Sequence, residues 1–443
     1  MISNQWIYKI SFSILAFVQF LTLLAYLNVN ILNVGESGSA LYLLLLNFFI
    51  SIVLAVVIWN RSELFIHVNT LIFFLLVSWI ALRVINDTGD VNNLKQVTIA
   101  TTGGMLLFFF IGAFHGISYK KIIFCQRQFS VAKLILILYL FILIGISYEF
   151  SQRMRDNLFL IEGVDGAYQR PGNFLSISFI ISSYLYISIV LNSFYEKNVR
   201  ISKFFWLVIY SVIAFTALIT SQLFGSNSAT AVTAGTYLVT LVISMVAVSG
   251  GFRSKYASDK LSLPWSKELM KSVIFLSIYG LVIFSSIVAG IIYLTGFDPS
   301  NLRLLGFGAG TNTSIESRID ILLESGVTQL SHSPIFGDYN VAFLTTGDSG
   351  RRLHSFLPFV MANLGLIGVA LVFLYFASVF NQFIKESKIQ NSDKVKSYQN
   401  SVIAIYGAFL IMFLFLFANI ATGVSWAVLW FALGFATNPI GYK

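Results

Sequence analysis

Apolar runs of about 20 residues alternate with short polar segments along the whole chain. Runs of that length can cross a hydrocarbon core as helices, where each backbone polar group must bond within its own segment. The pattern predicts spans at roughly 10–33, 40–59, 64–86, 97–117, 133–150, 173–194, 203–221, 228–249, 272–296, 355–383, 401–420 and 424–440. The expected fold is an all-α polytopic membrane protein of about 12 transmembrane helices, one integral membrane domain over residues 1–443. Two connections interrupt the rhythm, 151–172 and 297–353, and the second, at 57 residues, is long for a connection. Within it Thr313 and Glu316 have capping-box spacing. Ile315, Ile319, Leu322, Leu323 and Leu330 then give an apolar face, and Pro334 follows. These signals predict an amphipathic helix at about 314–330, lying on or dipping into a membrane interface.

Composition agrees with the pattern. Hydrophobic residues make up 57% of the chain and charged residues 11%, against about 25% charged in a soluble domain. A single cysteine, Cys125, excludes an intrachain disulfide and a cysteine-based metal site. No small-residue cleavage site follows the first apolar run, which therefore reads as a retained span. The formal net charge is +9, and in a membrane protein its distribution matters more than its sum.

With a cytoplasmic N-terminus, 19 of the 28 basic residues fall on the inside, 15 of them Lys. Nine fall outside, and eight of those are Arg: Arg83, Arg153, Arg155, Arg170, Arg303, Arg318, Arg351 and Arg352. The positive-inside rule favours this orientation, with both termini cytoplasmic and the two long loops outside. Lysine satisfies topology as well as arginine does, but arginine adds a planar fork matched to phosphate and carboxylate. The bland reading is that arginines snorkel to headgroups, and it applies most readily to a single residue such as Arg83. The functional reading is an anion-binding outer face.

Gly350-Arg351-Arg352-Leu353-His354-Ser355 concentrates this chemistry at the start of an apolar run. Two cations beside His354 disfavour its protonated form, which would keep the imidazole able to accept a proton. The alternative is a histidine that caps the helix. His332 lies on the same outer loop, and His67 and His115 read as interfacial or packing residues. No histidine pair has metal spacing. Gly306-Phe307-Gly308-Ala309-Gly310 lacks the lysine and the preceding strand of a phosphate loop and reads as a turn. Small polar residues from Ser221 to Thr230 read as close helix packing. Tyr148, Tyr168, Phe174 and Tyr339 are aromatics that could stack on sugars. Together these are parts for glycosyl transfer from a polyprenyl diphosphate-linked sugar.

Three patches then resemble the O-antigen polymerase/O-antigen ligase superfamily of bacterial inner-membrane proteins. Arg170-Pro171-Gly172-Asn173-Phe174 looks like its Arg-x-x-Gly segment. Ser317-Arg318-Ile319-Asp320 through Ser333-Pro334-Ile335-Phe336-Gly337 looks like its arginine-bearing loop helix and Pro-hydrophobic-x-Gly turn. His354-Ser355-Phe356-Leu357 with Asn363-Leu364-Gly365-Leu366-Ile367-Gly368 looks like its histidine helix, which carries a Gly-Leu-x-Gly run. The motifs are confined to about 150–370. The resemblance implies a GT-C-like fold and metal-independent transfer without a cofactor. It implies an undecaprenyl diphosphate-linked oligosaccharide as substrate, membrane lipid around it, a chain-length regulator as partner, and no nucleic acid. It matches Arg170 and Arg318 to diphosphate-contacting arginines and His354 to the catalytic histidine. Arg351 and Arg352 join them by position, and Arg153, Arg155, Arg303 and His332 are further candidates. Where the family often has Ser-Arg, this chain has Ser226-Asn227. The expected activity is polymerisation of lipid-linked repeat units at the periplasmic face. The alternatives are a ligase that transfers glycan to lipid A-core and a non-enzymatic flippase.

Overall fold

A computed structural model describes residues 13–25, 37–59, 64–87, 103–124, 129–153, 169–192, 200–223, 226–254, 285, 312–346, 352–353, 355–388, 394–421, 426–437 and 440–442. These residues form helices almost throughout. In chain order they are α1 (Ser13–Ala25), α2 (Ser37–Trp59), α3 (Val68–Asp87), α4 (Gly104–Phe124), α5 (Phe129–Arg153), α6 (Gln169–Asn192), α7 (Arg200–Leu223), α8 (Asn227–Ser254), α9 (Asn312–His332), α10 (Val341–Thr346), α11 (Phe356–Lys388), α12 (Lys394–Ala421) and α13 (Ala427–Thr437). Two three-residue strands, β1 (Leu64–Ile66) and β2 (Ile440–Tyr442), pair antiparallel, with Phe65 opposite Gly441.

Five helical stretches are long and apolar enough to cross a membrane: Val68–Asp87, Val131–Tyr148, Gly172–Leu191, Asn227–Met245 and Phe356–Glu386. Six shorter apolar helices accompany them. This is the make-up of an α-helical multi-pass membrane protein. Helices stand at eleven of the twelve positions where the hydrophobic pattern predicts spans. The twelfth, 272–296, lies but for one residue outside the described residues.

The chain divides into two compact units, Met1–Ile50 with Ser118–Gly308, and Ser51–Ile117 with Ala309–Lys443. In the first, α6 is the central element. Its stretch Gly172–Leu191 is buried along its whole length, and it packs on α5, α7 and α8. Most of its serines turn their hydroxyls onto the backbone, although that of buried Ser178 has no hydrogen-bond partner among the described residues. Ser176, Ser182 and Ser183 donate to the carbonyls four residues back at 2.8–2.9 Å. Between helices, Ser183 meets the Tyr210 hydroxyl at 2.6 Å, Tyr237 donates to Ser211 at 2.9 Å, and Ser221 meets Thr230 at 2.6 Å. Tyr186 stacks on Tyr210 with ring centroids 4.3 Å apart. Gly172 lets α6 close onto Ser226 and Ala229 at the start of α8, where any Cβ would collide. Ser221, Ser226 and Thr230 are thus buried packing residues, as the small polar composition of the stretch predicts.

In the second unit Phe73 joins four helices. Its ring stacks on Phe109 of α4 at 3.9 Å and meets Trp430 of α13 at 5.4 Å and Tyr375 of α11 at 5.7 Å. Glycines let α4 and α13 touch backbone to backbone: a Cβ at Gly112 or Gly434 would run into the carbonyl of Phe431 or Phe109. His115 is fully buried against Phe431, a packing histidine. At one end of α3, Asn69 donates to Gln382 of α11 at 2.7 Å, and Gln382 in turn donates to the Thr437 carbonyl. The other end of α3, at Arg83 and Asp87, carries the candidate site.

Candidate functional site

Helix α9 covers the stretch where capping-box and periodicity signals predict a helix. It ends before Pro334, and the Gly337 amide closes the turn on the Ser333 carbonyl at 2.8 Å. Residues 333–340 then form a strap that runs into α10.

The strap fits into a break in a membrane helix. The pattern predicts an uninterrupted span at 355–383, but α11 is interrupted at Gly365, which has φ 64° and ψ −168°. A break in an apolar helix strands backbone groups, and in hydrocarbon each must find a partner. Here the strap provides them. Leu366 N–H donates to the Pro334 carbonyl at 2.9 Å and Ile367 N–H to Ile335 at 3.3 Å. The Ala362 carbonyl accepts from Asp338 N–H at 3.0 Å. Trp79 of α3 donates its indole N–H to the Leu364 carbonyl at 3.0 Å. The approach needs two glycines in the left-handed region, Gly365 and Gly337 (φ 73°). A Cβ on Gly337 would meet the Asn363–Gly365 backbone, and one on Gly365 would meet Ile335 and Gly337.

Two charged residues of α3 hold the strap from its other side. Arg83 donates through Nη2 to Asp87 Oδ1 at 2.5 Å and to the Gly337 carbonyl at 2.7 Å. Asp87 Oδ2 accepts from the Tyr339 backbone N–H at 2.8 Å, and the Asn340 side-chain amide donates to the Asp87 carbonyl. Asp338 accepts from Asn340 N–H through Oδ1 at 2.8 Å and lies 3.2 Å from His332 Nε2 through Oδ2. Arg83 and Asp87 are 14% and 10% exposed. Arg83 is therefore an internal clamp, not an arginine snorkelling to headgroups.

Arg352 is the sequence-predicted arginine whose side chain can be placed. Its guanidinium lies 5.0 Å over the Tyr339 ring, and that ring also meets Phe359 edge-on at 6.3 Å. A guanidinium held by its face presents its N–H donors at its edge, the geometry suited to an anion. Leu353, next in sequence, is buried with Ile321, Val341 and Ala362. Helix α11 starts just after Ser355, whose carbonyl accepts from Phe359 N–H at 2.8 Å.

The structure brings together Arg352, through Tyr339, and His332, through Asp338, on the same strap. Arg318 lies on α9 in the second unit and Arg170 at the start of α6 in the first, both with side chains outside the described residues, as is that of Arg153 at the end of α5. Arg155, Arg303, Arg351 and His354 lie outside the described residues, as do Tyr168 and the glycine-rich stretch 306–310. Two of the aromatics expected to meet sugars are core residues instead. Phe174 and Tyr339 are 3% and 2% exposed, because their rings are taken up by packing before they are offered to a ligand. Tyr148 is exposed on α5.

The clamp residues Arg83 and Asp87 are what sequence reasoning missed. Their i, i+4 spacing was the available signal. Among the described residues, no group of three or more His, Cys, Asp or Glu side chains could hold a metal ion. No protein-family model matches the chain, and the comparison with curated proteins found no match.

Proposed function

We propose that the protein is a glycosyltransferase that polymerises undecaprenyl diphosphate-linked oligosaccharide repeat units at the periplasmic face of a bacterial inner membrane. One observation carries the reading beyond resemblance. Two of the three motif-like patches, Ser333–Gly337 and the Gly365–Gly368 run, bond to each other backbone to backbone across the helix break. Residues matched as separate motifs thus belong to one substructure, and Arg352 is mounted on it.

In this reading His354, at the entrance to α11, takes the proton of an acceptor hydroxyl. The hydroxyl oxygen then bonds to the anomeric carbon of the donor glycan. The bond from that carbon to the diphosphate oxygen breaks, and undecaprenyl diphosphate leaves with the electron pair. Arg318, Arg351 and Arg352 stabilise the charge that develops there, which is the largest electrostatic demand of the step. Arg170 belongs to the first unit, and its part rests on the resemblance alone.

A transporter reading draws on the same helix break, since interrupted helices line substrate sites in many carriers. In this protein, however, the break is filled by the strap's own backbone. Purified protein in proteoliposomes, supplied with lipid-linked repeat units, separates the readings. Lengthened lipid-linked glycans with release of undecaprenyl diphosphate support polymerisation. Transfer solely to added lipid A-core supports a ligase. Movement of glycolipid between leaflets with no new glycosidic bond supports a flippase.

A further inference from the structure

Helix α9 is built inside out for a helix in water. Its protein-facing stripe is Ile321, Ser325 and Gln329, all buried. Two of these three are polar and hydrogen-bonded: Gln329 donates to Ser325 Oγ at 3.0 Å, and Ser325 donates to the Ile321 carbonyl at 3.0 Å. Beside buried Ile321 and the partly buried Leu330, four apolar side chains are uncovered. Leu323 and Val327 are 74% and 77% exposed, and Ile319 and Leu322 are exposed beside them.

Asp320, Glu324, Thr328 and Ser331, also exposed, are polar and form a third stripe. At about 100° per residue, the centres of the buried, apolar and polar stripes lie roughly 120° apart around the helix. A helix wholly in water needs two faces, and a helix wholly in lipid tolerates no carboxylate stripe. Three faces suit a helix with protein on one side, acyl chains on the second and water on the third.

The depth at which α9 is held agrees. Ile321 packs in one cluster with Leu353 and Ala362. Ala362 lies six residues into the membrane-crossing stretch Phe356–Glu386, on the order of 9 Å along its axis. The strap that continues from α9 exposes Ile335 and Phe336, and the Phe336 ring lies 6.4 Å from that of Trp79 on the crossing helix α3. Through Ile321 on its buried stripe and Phe336 on the strap, α9 is thus held against two membrane-crossing helices.

We infer that α9 is a membrane-docking helix whose Ile319–Leu322–Leu323–Val327 stripe inserts among lipid acyl chains at the bilayer boundary, with Asp320 and Glu324 turned to water. The occupant of the exposed face is bilayer lipid rather than a second protein surface. This goes beyond the glycosyltransferase reading and does not depend on it.

Site-directed spin labelling tests it. In a Cys125→Ser background, nitroxides are placed singly at Asp320, Leu323, Glu324 and Val327, and each protein is reconstituted in phospholipid vesicles. All four side chains are exposed, so the labels disturb no packing. Collision rates with oxygen, which concentrates in acyl chains, are compared with those of a water-soluble nickel chelate. The expected result is an oxygen-to-nickel ratio several-fold higher at positions 323 and 327 than at 320 and 324. Nickel-dominated collisions at all four positions would overturn the inference by placing the helix in water. Loss of both reagents at 323 and 327 would overturn it by placing protein over the stripe. The readout needs no turnover, so failure here and failure of the proposed activity are separate results.

Discussion

Arg83 Nη2 donates to the carbonyl of Gly337 at 2.7 Å, across 254 residues of sequence. The same guanidinium holds Asp87, and Asp87 holds the amide of Tyr339. One charged pair on an otherwise apolar helix therefore sets where a loop strap meets a broken membrane helix.

Removing one member of this pair strands the other charge in a site that is nine-tenths closed to solvent. Arg83→Ala and Asp87→Ala should each lower stability by about 3–5 kcal/mol, the cost of breaking a buried pair by halves. Arg83→Lys should recover only part of it, because a single ammonium lacks the fork that serves the carboxylate and the carbonyl together. Thermal unfolding in detergent, followed by helix content, measures all three. Near-wild-type stability of Asp87→Ala would show that the clamp holds nothing.

The helix break makes a second demand. Gly365→Ala and Gly337→Ala should both destabilise, since a left-handed backbone costs a non-glycine residue about 1–3 kcal/mol and the collision with the opposing backbone adds to it. Gly145 of α5 is the control. A Cβ there meets nothing within 4 Å, and Gly145→Ala should be neutral or stabilise by about 0.4–1 kcal/mol. The same unfolding measurement ranks the three variants.

How much of this was legible beforehand follows from what local pattern can encode. Apolar runs fixed in length by the bilayer mark the helix positions, and Thr313, Glu316 and Pro334 bracket α9. The break at Gly365 left no such mark. It sits in Gly-Leu-Ile-Gly with no proline, and its conformation is stable because Pro334, Ile335 and Asp338 supply bonding partners from some 30 residues away. The i, i+4 spacing of Arg83 and Asp87 is a local signal, but their third partner, Gly337, belongs to tertiary structure. For the same reason Phe174 and Tyr339 read as available rings and are core residues. The arginine fork of Arg352 was legible as chemistry, whereas its seat on Tyr339 was not.

That seat gives a third prediction. Tyr339→Leu keeps an apolar side chain but removes the face on which Arg352 lies, a contact worth about 0.5–2 kcal/mol. It should weaken binding of a polyprenyl diphosphate by a few-fold while the backbone bond from residue 339 to Asp87 remains. Arg352→Ala should weaken it further, and the double variant should lose little beyond Arg352→Ala alone. Equilibrium binding of a fluorescent polyprenyl diphosphate to the purified variants measures the three affinities. Fully additive losses would mean that the two residues act independently.

The proposed chemistry is glycosidic bond formation with His354 as base and Arg318 as a diphosphate contact. Its most direct test is the rate of glycan lengthening by purified protein in proteoliposomes given lipid-linked repeat units. The wild type should produce ladders of lipid-linked glycan. His354→Ala should fall by about 10²–10⁴-fold, the usual contribution of a general base, and Arg318→Ala should fall as well, with unfolding temperatures unchanged. Ladders formed at the wild-type rate by both variants would contradict the assignment of the site, and no ladder from folded wild-type protein would contradict the activity itself.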